Sequence, residues 1–325
     1  RDLRMSRGLG DVYKRQVLAS IISLSAVGVL GAGIVCANAD KSPVPDIPKT
    51  AENGAAMLST ENFQDISGRL EQNQSSGSEI ALAAVTDNEE IAKYDIFYKM
   101  LNSIDYFDTA EGHVEILRRN GVTTADFACN LVTADCYEKS YQPDGNISEI
   151  YTSSDDSIIE VSSENKSILY SLGSCKREYA APIPNNERIT LGADGINTYA
   201  HRADPTNTRT ASEALFAQDI IFNFMTVEDM WEIDGETDLL GRDCVVIKGY
   251  TSDYAREKLG VYNFKFTVDK ITGVIMDYEG YAEDGGIEAY CRLTEIEFDG
   301  NPEIKNFDIN DYEDYEYKDI SHGIQ

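Results

Sequence analysis

Alternating hydrophobic and polar positions dominate the stretch from Leu239 to Phe298, and the rest of the chain is best read outward from there. Phe264, Phe266 and Val268 alternate with Lys265, Thr267 and Asp269, the period-two pattern of a strand with one wet face. Asp269 to Gly273 supplies a turn that ends on a glycine, where a positive φ is expected. Val274, Met276 and Tyr278 then line one face against Asp277 and Glu279, and Asp284-Gly285 marks a second hairpin. Ile287, Ala289, Cys291 and Leu293 share one parity, whereas Ile296 and Phe298 sit on the other. Such a switch inside one strand predicts a bulge, and a bulge bends a sheet.

The same reading extends upstream. Thr86 to Glu89 has the form of a capping box, and Ile91, Tyr94, Phe97, Leu101 and Ile104 recur at helical spacing, which predicts a helix to about Ile104. Six strands follow: Gly112–Arg119, Thr123–Leu131, Cys136–Gln142, Asn146–Tyr151, Ser157–Ser162 and Ser167–Leu172. Asp-, Ser- and Asn-rich turns separate them. Cys175–Asp194 reads as loop, with Pro182 and Pro184, and Gly195–Ala200 as a further strand. Thr210 to Glu213 is a second capping-box pattern, opening a helix over Ala211–Met225. Leu215, Phe216, Ile220, Ile221, Phe222 and Phe224 make that helix apolar on nearly every side, so it must be buried on more than one. Many antiparallel strands with few helices give an α+β fold: a curved antiparallel sheet, an incomplete β-barrel, closed by helices.

The two ends read differently. Arg1–Gln16 resembles translated sequencing-adapter DNA and is set aside from fold reasoning. Val17–Ala39 carries no charge and ends on Ala37-Asn38-Ala39, the small-x-small pattern of a signal-peptidase site. A membrane tether through residues 17–37 is one alternative, because the run is long enough to span a bilayer, and a lipoprotein site at Cys36 is another, though Gly33-Ile34-Val35 lacks the small residue usual before such a cysteine. All three place the remainder outside the cytoplasm. Residues 40–85 read as a flexible linker, residues 86–308 as the folded domain, and residues 309–325 as an acidic, solvated tail.

Composition narrows the function classes. A formal net charge of −29 over 325 residues disfavours nucleic acid, whose phosphates need a basic face. Three histidines, His113, His201 and His322, are scattered, and no His-x-x-x-His or Cys-x-x-Cys pair, nucleophile elbow, P-loop or dinucleotide fingerprint occurs. No catalytic group, metal site or cofactor is expected. Cys129 and Cys136 flank a tight turn and could face each other as a disulfide, or could be small buried apolar residues.

Three motifs in order carry a resemblance: Leu240-Gly-Arg-Asp-Cys-Val-Val-Ile247, then Phe264–Asp269 with Thr272-Gly273, then Tyr278–Gly286. The series resembles the LolA-like fold, shared by periplasmic lipoprotein carriers and the sensor domain of RseB-type regulators. The resemblance spans about Thr86–Asp308 and implies an incomplete barrel over an apolar cavity that binds acyl chains or a hydrophobic peptide without catalysis. No second small domain like that of RseB-type proteins is recognisable in the sequence. The resemblance therefore points to an exported binder of a lipid, a lipoprotein acyl chain or a hydrophobic peptide. A membrane-anchored extracytoplasmic sensor domain is one alternative, and a secreted hydrolase of unrecognised type is another. Leu215, Phe216, Ile220, Phe222, Phe264, Phe266, Val268, Met276, Tyr278, Ile287 and Leu293 are the candidate cavity lining, with ordinary core packing as the competing reading.

Overall fold

A computed structural model of the chain describes residues 84–173, 181–192 and 197–321. The expectations for the adapter-like segment, the uncharged run and the linker to residue 83 lie outside the described residues, as do Cys175 and His322.

The first helix, α1 (Ala84–Leu101), is followed by a 3-10 turn at Ser103–Asp105, close to the predicted end at Ile104. Six strands come next: β1 (Thr109–Arg118), β2 (Gly121–Asn130), β3 (Asp135–Tyr141), β4 (Ile147–Thr152), β5 (Ser157–Ser162) and β6 (Ser167–Leu172). Where loop was expected, Asn185–Arg188 is a single helical turn, α2, running into β7 (Ile189–Leu191), which pairs with β8 (Asn197–Tyr199). The helical segments α3 (Ser212–Leu215) and α4 (Gln218–Phe224) lead to β9 (Trp231–Leu239) and β10 (Arg242–Tyr250). Helix α5 (Asp253–Leu259) precedes β11 (Asn263–Asp269), β12 (Ile275–Tyr281), β13 (Ile287–Phe298) and a short β14 (Glu316–Asp319).

Twelve strands form one sheet in the order β14-β6-β5-β4-β3-β2-β1-β13-β12-β11-β10-β9. Two meanders, β1–β6 and β9–β13, are joined edge to edge by β1 and β13. Every pairing is antiparallel except the last, where β14 runs parallel to β6, so the sheet is mixed rather than purely antiparallel. The ends, β14 and β9, are not paired with one another, and the barrel is incomplete. The predicted bulge is present. His113 pairs with Glu295 and Val114 with Leu293, leaving Thr294 as the extra residue at the switch in parity. The register also shifts in the β9–β10, β11–β12 and β12–β13 pairs. Each shift bends its strand and adds twist. Gly112 sits at the main bulge, where a Cβ would lie 2.1 Å from the Glu295 carbonyl oxygen, so the strands approach closely only because the side chain is absent.

One hydrophobic core gathers residues of α1, α3, α4, β1–β3 and β9–β13. Only a sheet that bends round its helices brings strands from both meanders onto one interior. The predicted turn glycine, Gly273, has φ +73°, and a Cβ there would meet the Lys99 backbone at 2.6 Å. That turn therefore packs directly beneath the end of α1, and Lys99 Nζ donates to the Lys270 carbonyl at 2.8 Å.

Four expectations are corrected. The helix over Ala211–Met225 is broken at Phe216, whose φ of −132° and ψ of +48° are not helical. A continuous helix would have to bury its apolar residues all round. The break instead sends Phe216 to stack on Phe107 and Phe222 on Tyr199, while Phe224 meets Phe264. The capping box at Thr210 is not used either. Its place is taken by the buried Glu138 of β3, whose carboxylate accepts from the backbone N–H groups of Arg209, Thr210 and Ala211. The outer face of β11 is not wet at its end, because Asp269 is fully buried. Finally, the acidic tail is ordered to residue 321: Tyr312 is buried and β14 extends the sheet.

Helix α5 escaped the pattern reading, although its ends were legible. The Ser252 side chain accepts from the Ala255 N–H, and Gly260 closes the helix at φ +73°.

Candidate functional site

Nine of the candidate lining residues enter the larger core: Leu215, Phe216, Phe222, Phe264, Phe266, Val268, Met276, Tyr278 and Leu293. Ile220 is partly buried against it. Ile287 is a correction: it is 48% exposed. Its strand slips register between Ala289 and Ile287, where Gly280 and Tyr281 of β12 face them, so Ile287 loses the parity it shares with Cys291 and Leu293 in the sequence. Within the core the aromatic rings touch directly. Phe264 and Phe266 are 4.8 Å apart, Phe266 and Tyr278 5.3 Å, and Phe224 of α4 lies 5.3 to 6.1 Å from all three. Such tilted and edge-on arrangements are the favoured aromatic contacts. Trp231 opens β9 at the margin of this cluster and donates its indole N–H to the Met225 carbonyl at 2.9 Å.

Cys129 and Cys136 face each other in register across β2 and β3 as buried thiols. Burial pushes the Cys129 and Cys291 thiols well above their ordinary range and Cys244 up to about 11. The thiol form is thereby favoured at neutral pH, which makes these side chains apolar packing units and poor nucleophiles. His113 and His201 each meet a carboxylate at the surface, Asp126 at 2.6 Å and Asp219 at 2.9 Å.

A polar corner borders the aromatic interior, and the sequence patterns did not mark it. Arg202 holds Asp105 through two contacts, Nη1 to Oδ2 at 2.5 Å and Nη2 to Oδ1 at 2.8 Å, and also donates to Asn102. Gln218, the first residue of α4, binds the backbone of Arg202 with both ends of its amide. Its Oε1 also accepts from Arg188, a fully buried arginine at the end of α2. Arginines in a proline-bordered loop give no periodic signal, so neither could be singled out from the chain alone.

No protein-family model matches the chain, and no curated protein sequence does. Among solved structures it is similar to the MucA/MucB complex of Pseudomonas aeruginosa, at 14% identity and a TM-score of 0.36, over 65% of this chain and 59% of that one. The chain thus spans about six-tenths of that chain's length. It is also similar to an outer membrane lipoprotein-sorting protein domain from Vibrio parahaemolyticus, at 9% identity and a TM-score of 0.26, over 68% of this chain and 97% of that one. A third is the lipoprotein LppX of Mycobacterium tuberculosis, at 7% identity and a TM-score of 0.29, over 66% and 98% of the two chains. The architecture itself, an unclosed bent sheet with helices laid into it, is the one the motif series resembles.

Proposed function

We propose that this chain is an exported, non-catalytic binding protein whose ligand is apolar: a lipid, a lipoprotein acyl chain or a hydrophobic peptide. One observation carries the reading. The unclosed sheet bends round an aromatic interior covered by α1 and, between β8 and β9, by the two short helical segments α3 and α4. Helices of four and seven residues have little stability of their own and stay in place through tertiary contacts, the side chains they bury and the Glu138 carboxylate that caps α3. An apolar ligand that offers Phe264, Phe266 and Tyr278 equivalent contacts can replace Phe224 and its neighbours at little net cost. Export rests on the uncharged Val17–Ala39 run.

The test is titration of delipidated protein with a polyunsaturated fatty-acid fluorophore, followed by competition with an unlabelled fatty acid and with an apolar peptide. The expected result is a saturable, one-to-one rise in fluorescence that a competitor reverses. A signal that grows linearly with probe and cannot be competed would remove the proposal.

A further inference from the structure

We infer that the ligand carries an acidic head group, a carboxylate or a phosphate, and that Arg188 is the side chain that receives it. The inference rests on the apolar-ligand reading and assigns the polar end of that ligand.

Arg188 is fully buried. Its Nη2 donates to the Leu101 carbonyl and to Gln218 Oε1, each at 2.8 Å. Among the described residues its Nε and Nη1 have no partner. Three of the five N–H bonds of the guanidinium are therefore unsatisfied, and among the described residues no carboxylate forms an ion pair with it. The acidic group of the corner, Asp105, is held by both terminal nitrogens of Arg202. Burial, with the charge of Arg202 adding to it, lowers Arg188 to about 10, which still leaves it a cation at neutral pH.

Among the described residues, the buried carboxylates are treated differently. Glu138 accepts three backbone N–H groups and the Ser140 hydroxyl. Asp269 takes Arg242 and the Ile271 and Thr272 donors. Glu149 accepts from Tyr137 and Tyr312. A buried cation with unmet donors is strongly unfavourable unless an anion joins it. Its location says which kind of molecule would bring that anion. The guanidinium lies 5.6 Å from the Phe222 ring, and Phe222 belongs to the apolar core. It also binds Gln218, which in turn holds Arg202 of the Arg202–Asp105 pair. A single amphiphile can set its acid on Arg188 and its chain among the aromatic rings. A guanidinium suits both carboxylate and phosphate oxygens, and a free anion would satisfy the same donors.

The experiment uses the full chain, delipidated, and reads Trp231 fluorescence with three probes: myristate, myristyl alcohol and inorganic phosphate. Myristate is expected to bind at least about tenfold more tightly than the alcohol, the scale of one charge-assisted contact. Arg188→Gln is expected to abolish that preference and leave the alcohol's affinity as it was. Arg188→Met is expected to raise the unfolding midpoint of the ligand-free protein, since the lone buried charge is gone. Equal wild-type affinities for myristate and its alcohol would overturn the inference while leaving the apolar-ligand reading in place, and so would an undiminished preference in Arg188→Gln. Phosphate that protects wild type but not Arg188→Gln, with neither amphiphile binding, would support an anion at Arg188 and remove the apolar-ligand reading instead. Should Arg188→Gln fail to fold, the wild-type comparison of myristate with its alcohol decides alone.

Discussion

The two ends of the sheet are held by different physics. Around β10–β13 and β1 the interior is dry: Phe224, Phe264, Phe266 and Tyr278 pack ring against ring, with Val268, Met276 and Leu293 closing the gaps. Around β4–β6 a second, small core of Tyr151, Val161, Ile168 and Tyr312 is joined by a hydrogen-bonded knot. There Glu149 accepts from Tyr137 and Tyr312, each at 2.6 Å, and the Tyr151 and Tyr312 hydroxyls are 2.7 Å apart. Lys305 lies over the rings of Tyr137 and Tyr151. Burial, then the Glu149 contact, keeps the Tyr312 phenol protonated far above its ordinary range. The dry end is stabilised by area and shape, so it should respond to lost volume. The knotted end is stabilised by directed bonds, so single atoms should matter there.

The largest effect that separates the two is expected from Phe266→Ala. Phe266 is fully buried at the centre of the ring cluster, and its removal should cost about 3–5 kcal/mol in urea unfolding. Val161→Ala in the small core deletes two methyl groups and should cost roughly 1–2 kcal/mol. Equal losses would erase the distinction between the two cores.

A second test introduces charge into the dry end. Asp269 is fully buried, and burial alone would raise its pKa. The Arg242 guanidinium and the Thr272 donors outweigh that and hold the carboxyl below its usual range. Asp269→Ala leaves Arg242 without its partner and should cost about 3 kcal/mol at pH 7. The sign with pH follows from a lowered pKa. The stability contributed by Asp269 is present above the ordinary carboxylate range and is lost as pH falls through the folded value. Wild type and Asp269→Ala should therefore converge in acid, and parallel unfolding curves from pH 7 to pH 2 would contradict the assignment.

Tyr312→Phe is a one-atom change at the knotted end. It leaves Glu149 short of a donor and should cost about 1–2 kcal/mol. Because Tyr312 anchors the segment that continues into β14, amide exchange in Glu316–Asp319 should speed up while β11 and β12 stay protected. Unchanged exchange in β14 would show that the tail is held by something other than this phenol.

What the chain made legible divides along the same line. Six strands from Thr109 to Leu172, the turn at Gly273 and the bulge at Thr294 follow from alternation and turn chemistry, because the dry face repeats every second residue. The tail did not follow. Residues 310–319 are acidic and tyrosine-rich, a composition that reads as solvated, and it is the distant Glu149 and Tyr151 that make Tyr312 an anchor. The break at Phe216 was hidden for a related reason, since its partner Phe107 lies more than a hundred residues upstream. Arg188 was the least legible of all, because its significance is that Nε and Nη1 have no partner among the described residues.

The smallest predicted effect lies where the opposite face of β4 meets the loop before α3. Thr152 of β4 donates to the Thr206 carbonyl, and the same loop folds round Asp204, which accepts from the Thr206 N–H and from the Thr206 and Thr208 hydroxyls. Desolvation pushes Asp204 up to about 6 from its ordinary 3.8, the hydroxyl and N–H donors only partly opposing it. Between these values the folded chain holds a proton that the unfolded chain has released. This group's contribution to stability accordingly falls as pH rises from about 4 to about 6. Asp204→Asn keeps one acceptor oxygen and cannot ionise. Its stability relative to wild type should therefore increase across that window and level off above it, which urea unfolding at pH 4, 5, 6 and 7 would read directly. A flat difference would mean that water reaches Asp204 freely and that this loop, unlike the knot on the other face of β4, is not sealed.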